Sequence, residues 1–136
     1  MTEIPRHGGG VRLQRRFDAS PAEVWASLTE PESLSRWLGQ AQRAEAFAGG
    51  AWEIEFGTDP KTRMSGRVRT VEHERLLEVE WNYPGEPRSL VRFELHQERG
   101  GVRVVVEHRG LDRRATTAYA QGWRRHLDEL GGVVGS

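Results

Sequence analysis

Histidine is the scarcest residue type here that could move protons at neutral pH. It occurs at positions 7, 73, 96, 108 and 126, with no metal-ligand spacing among them. His73 sits in the turn His73-Glu74-Arg75, and His96 and His126 flank charged residues, so these three read as surface histidines. His108 differs. It alternates in phase with Val102, Val104 and Val106, which places a polar ring on an apolar face, able to bond a ligand, move a proton or cap the edge of a sheet. Arg15 lies in phase with Leu13 and Phe17, where it would hold an anionic head or run its stem along the core to water. Glu53 with Glu55, and Glu78 with Glu80, are carboxylates at i,i+2. Each pair alternates with apolar residues and so faces solvent rather than opposing another carboxyl across a cleft. The chain has no cysteine, which removes thiol catalysis and Cys-ligated metals. It also has no GxSxG, HExxH, phosphate-loop or dinucleotide motif. No catalytic set, metal or cofactor is assigned from the sequence.

What remains is aromatic. Trp37, Trp52, Phe56 and Trp81 fall on inward faces by their periodicity, as do Phe93, Tyr119 and Trp123, with Met64 beside them. Each alone is ordinary core. Together with Val104, Val106 and His108, they form the expected lining of an apolar pocket on the order of 300 Å³ or more. Tyr119 and Trp123 would be its polar handles. Gly122, within a helical stretch, suggests close approach of another element to the helix.

The elements that must position these residues follow from capping and period. Residues 11–17 alternate as a strand. Ser20-Pro21-Ala22-Glu23 reads as a capping box, and Thr29-Glu30-Pro31-Glu32 repeats it, giving two short helices, the second ending at Gly39. From Ala41 to Arg109 the pattern is strands and tight turns, with Met64, Gly66, Val68 and Thr70 predicted inward. Asp112 is the expected N-cap of a final helix of about 18 residues that ends at Gly131-Gly132. Its apolar stripe is Ala115, Tyr119, Trp123, Leu127 and Leu130, and Arg124–Asp128 and Arg125–Glu129 are i,i+4 pairs on its outer side. Only this helix is long enough to cover a sheet of six or seven strands. The fold class is therefore α+β: a curved antiparallel sheet wrapped around a long C-terminal helix, with two short helices after the first strand. The expected organisation is an arm at 1–10, one domain at 11–132 and a tail at 133–136.

Twenty basic residues balance twenty acidic ones, and all the basic residues but Lys61 are arginine, as a GC-rich genome would give. A neutral chain gains little from a polyanion. The row Arg63, Arg67, Arg69 is expected to pair across strands with Glu78 and Glu80. No nucleic-acid partner and no membrane insertion are expected, and the predicted compartment is the cytoplasm.

The run Phe17-Asp18-Ala19-Ser20-Pro21-Ala22-Glu23-Val24-Trp25, then Leu28-Thr29-Glu30-Pro31-Glu32 and Trp37, resembles a known opening pattern. Gly49-Gly50-Ala51-Trp52, Gly66-Arg67-Val68, Glu107-His108-Arg109-Gly110-Leu111 and Gly122-Trp123 continue it. Over about residues 11–131 the chain is similar to the activator of heat-shock-protein-90 ATPase homologue family. That family lies within the SRPBCC superfamily of START lipid-transfer domains, polyketide cyclases and birch-pollen-allergen-like proteins. The resemblance implies a helix-grip fold with a deep cavity between sheet and C-terminal helix, and members that bind hydrophobic ligands. The leading expectation is non-catalytic binding of a small apolar or aromatic molecule by a monomer or weak homodimer. A polyketide-cyclase-like enzyme using His108 or Tyr119 as acid/base is the second reading. A chaperone partner is the third.

Overall fold

The structure, a computed structural model, describes residues 10–134, the side chain of Pro60 apart. The expected arm at 1–10 (all but Gly10) and the end of the expected tail lie outside these residues. The order is β1 (Gly10–Phe17), α1 (Pro21–Thr29), α2 (Pro31–Leu34), β2 (Gln40–Ala44), β3 (Ala51–Glu55), β4 (Arg63–Glu72), β5 (Leu76–Asn82), β6 (Ser89–Glu98), β7 (Gly101–Arg109) and α3 (Arg113–Val134). The seven strands form one antiparallel sheet in the order β1-β7-β6-β5-β4-β3-β2. Consecutive strands β1 and β2 thus hold opposite edges, and α1 and α2 carry the chain between them. α3 packs across the sheet, as a helix-grip architecture requires.

Local chemistry accounts for the element ends. Ser20 closes a full capping box: Glu23 N–H donates to its Oγ at 3.1 Å, and its own N–H donates to Glu23 Oε1 at 3.2 Å. The second box does not form. Thr29 is still helical in α1, where its hydroxyl donates to the Trp25 carbonyl at 2.8 Å, so α2 starts from Glu30 without a side-chain cap. Gly39 marks a close approach rather than a left-handed stop: a Cβ there would stand 2.7 Å from Ile54 Cγ2. Asp112 does cap α3, accepting from Ala115 N–H at 2.8 Å. α3 then runs past Gly131-Gly132 to Val134, because Leu130 and Gly131 are buried and packing overrides the weak propensity of glycine.

The sheet has two differently furnished faces. Trp52, Trp81, Phe93 and Val104 are buried on the face toward α3, and Val106 is buried with them. The other face carries ion pairs: Arg63–Glu55 at 3.0 Å, Arg92–Glu78 at 3.2 Å and Arg103–Glu98 at 3.0 Å. Arg67 stands opposite Glu80 in register, but its guanidinium donates to the Gly49 carbonyl at 3.1 Å. A register shift between Val68 and Thr70 reverses the alternation of β4. Thr70 therefore turns to the charged face, donating to Glu78 Oε1 at 3.2 Å, while Val71 packs on the core. Among the described residues no helix is long and apolar enough to cross a membrane.

Candidate pocket and the buried histidine

His108 is fully buried. β7 places it beside Val11 of β1 and Val91 of β6. Trp123 Nε1–H donates to its Nδ1 at 3.1 Å. Nδ1 therefore carries no proton, so the neutral ring is protonated at Nε2, which donates to Ser89 Oγ at 2.8 Å. The Ser89 hydroxyl in turn donates to the Trp81 carbonyl at 3.1 Å. Both ring nitrogens are thus satisfied inside the fold, and burial pushes the His108 pKa down to about 3. The arrangement fixes α3 to β5, β6 and β7 and holds the Trp123 indole in one orientation.

Nearer the surface, Trp81 Nε1–H donates to the Tyr119 hydroxyl at 3.1 Å, and that hydroxyl donates to Glu86 Oε1 at 2.7 Å. Burial, reinforced by Glu86, holds the Tyr119 phenol protonated well above its usual range. Glu86 stands on the turn between β5 and β6, so this contact draws that turn toward α3.

An open pocket of about 280 Å³ lies between the turn, Phe56 at the end of β3, and the middle of α3. Phe56, Trp81, Tyr83, Tyr119, Trp123 and His126 form its walls, with Glu86, Ala118, Gly122 and Arg125 at the turn and along the helix. The rings stand close to one another. Phe56 is 5.7 Å from Trp81, 6.2 Å from Tyr83 and 6.2 Å from His126 by ring centroids, and Trp123 is 5.6 Å from Trp81 and 5.8 Å from His126. Gly122 is what leaves the space open, since a Cβ there would meet nothing within 4 Å. The expectation of a close approach at Gly122 is therefore corrected: the missing side chain makes room.

Of the residues expected to line a pocket, Phe56, Trp81, Tyr119 and Trp123 meet at this one. Trp37, Trp52, Met64, Phe93, Val104, Val106 and His108 lie behind it, at no more than 1% exposure. Trp37 and Trp52 stand 6.4 and 6.2 Å from Phe93, and Trp123 stands 5.7 Å from it. Large rings fill the deep interior, so the open space is at its mouth rather than buried between sheet and helix. Arg15, the other inward polar residue, pairs with Asp128 of α3. Asp128 is thereby drawn away from Arg124, and among the described residues neither expected i,i+4 pair on α3 forms an ion pair.

Several lining residues were not anticipated. His126 was read as a surface residue, but it is half-buried in the pocket wall, with Nδ1 donating to the Trp37 carbonyl at 3.0 Å. Burial lowers its pKa, Arg125 adds to the effect, and the Trp37 bond opposes it. Tyr83 and Glu86 lie in a turn, where periodicity carries no signal. The helix did carry one: Ala118 and Gly122 are small residues one turn apart beside the Tyr119–Trp123 stripe, which cuts a notch into α3.

Solved structures reproduce the architecture. CalU16 from Micromonospora echinospora is 27% identical, with 93% of this chain aligned to 76% of that one at a TM-score of 0.80. MLL2253 from Mesorhizobium loti is 25% identical over 92% of this chain and 96% of its own, at a TM-score of 0.83. CV1439 from Chromobacterium violaceum shares the fold at 19% identity, 93% and 98% coverage and a TM-score of 0.84. A comparison with curated proteins gives no match. The family model described as Activator of Hsp90 ATPase homolog 1-like protein matches residues 18–135, from the end of β1 through α3. With the capping box, the seven-stranded sheet and the gripped helix in place, the chain belongs to that family.

Proposed function

We propose that this protein binds a small apolar or aromatic molecule in the pocket at the mouth of the gap between the sheet and α3, and does so without catalysing a reaction on it. One observation carries the reading: an open space of about 280 Å³, walled by aromatic rings, exists because α3 presents Gly122 where a side chain would fill it. That volume is near the lower range of small-molecule sites, and a few polar groups on mostly apolar walls are typical of them. Binding is favoured over proton transfer because the internal hydrogen bonds of His108 occupy both its nitrogens. Binding is favoured over a docking face because Phe47, 58% exposed, is the large hydrophobic side chain left uncovered among the described residues, and it stands alone.

A fluorescence titration tests the reading. An apolar probe such as an anilinonaphthalene should bind with a Kd in the micromolar range, about −8 kcal/mol, and quench tryptophan emission. Gly122→Leu places a side chain in the notch and should abolish binding while the protein stays folded. Equal binding by the wild type and Gly122→Leu would refute the assignment.

A further inference from the structure

We infer that the ligand of this pocket carries an organic ammonium group on its apolar or aromatic body, held between aromatic faces and the Glu86 carboxylate. This rests on the binding reading above and names its ligand class. The argument is an inventory of the hydrogen-bonding groups that the walls still offer.

The donors nearest the interior are already committed. Trp123 Nε1–H is given to His108, and Trp81 Nε1–H to the Tyr119 hydroxyl. The Tyr119 hydroxyl donates to Glu86. His126 must donate from Nδ1, because its partner is the Trp37 carbonyl, which can only accept. Burial keeps the ring neutral, so its Nε2 is left as a lone pair. Glu86 accepts one hydrogen bond from Tyr119 and retains free lone pairs on its carboxylate. The polar groups left on these walls are therefore two acceptors, one of them an anion, and the Tyr83 hydroxyl, which can donate or accept. A ligand group matched to them must donate, and a cationic donor gains most.

The walls point the same way. Rings of Phe56, Trp81, Tyr83 and Trp123 stand 5.6–6.2 Å from their neighbours around the space. Their faces carry negative quadrupole potential, which attracts an ammonium but not a carboxylate. Arg125 is the opposing feature, since a guanidinium at a pocket is the usual partner of an acid. Its side chain is exposed and has no ion-pair partner among the described residues, so its head can turn to water at the rim. Glu86 is exposed as well, but Tyr119 holds its carboxylate at the pocket, whereas no bond among the described residues holds Arg125 there, which favours the cation.

Three probes sharing one aromatic body decide the matter: naphthylethylamine, naphthylpropionic acid and ethylnaphthalene, titrated calorimetrically at neutral pH and low salt. The amine should bind about tenfold more tightly than the hydrocarbon, and the acid more weakly than either. Glu86→Gln keeps an acceptor for the Tyr119 hydroxyl and removes only the charge; it should erase the advantage of the amine. Arg125→Gln should leave that advantage intact or enlarge it. If the hydrocarbon binds as well as the amine, and Glu86→Gln changes nothing, the ammonium inference fails while the pocket stands. Tightest binding by the acid, lost in Arg125→Gln, would overturn it in favour of a carboxylate ligand. If none of the three binds, both readings fail together.

Discussion

A neutral imidazole sealed inside a protein couples its folding to pH. The folded protein protonates His108 only near pH 3, whereas an unfolded chain does so near 6.5. Between those values the unfolded state binds more protons. Stability conferred by the neutral ring is thus intact above about pH 6.5 and is lost as pH falls, by up to about 1.4 kcal/mol per unit. Denaturant unfolding at about pH 7 and about pH 5 should therefore show the wild type losing about 2 kcal/mol more than His108→Leu. The same loss in both proteins would mean that His108 is reachable by water. The sequence showed that this ring faces inward, because it alternates with three valines. It could not show what satisfies the ring, because Ser89 and Trp123 are distant in the chain and meet it only after β6, β7 and α3 have packed. His126 was missed for the opposite reason. Its charged neighbours Arg125 and Glu129 are exposed, while the ring itself stands in the pocket wall 6.2 Å from Phe56.

Among the elements, α3 serves both stability and site. Trp123 is 1% exposed, stands against Phe93, Trp81 and His108, and also lines the pocket. Trp123→Ala should cost about 3–5 kcal/mol, read as a shift in the denaturant midpoint at constant m-value. A cost under about 1 kcal/mol would mean that the helix docks on the sheet by some other face. Elements with a local cause were legible in advance. Ser20-to-Glu23 announced α1, Asp112 announced α3, and strict alternation announced β3, β5, β6 and β7. Elements shaped by their neighbours were not. The register shift in β4 leaves no mark in a sequence whose residues just past it, Thr70 and Val71, suit a strand equally. The run of α3 through two glycines is likewise decided by what covers Gly131.

For the molecule as a whole, the sheet's curvature and the single helix leave a concavity that side chains fill unevenly. Deep between sheet and helix, Trp37, Trp52 and Phe93 close it. Toward the β5–β6 turn, the notch at Ala118 and Gly122 leaves it open. Aromatic richness gave the sequence a pocket in general but not its place, because a tryptophan that fills space and one that borders it share the same periodicity. This division supplies the most direct test of the account. The chain has five indole N–H groups, each a separate signal in a proton–nitrogen correlation spectrum. On titration with naphthylethylamine, the signals of Trp81 and Trp123 should move progressively and saturate together, while those of Trp37 and Trp52 stay nearly fixed. Leading shifts at Trp37 and Trp52, or no shift at any indole at saturating ligand, would contradict a binding site at the mouth of the helix grip.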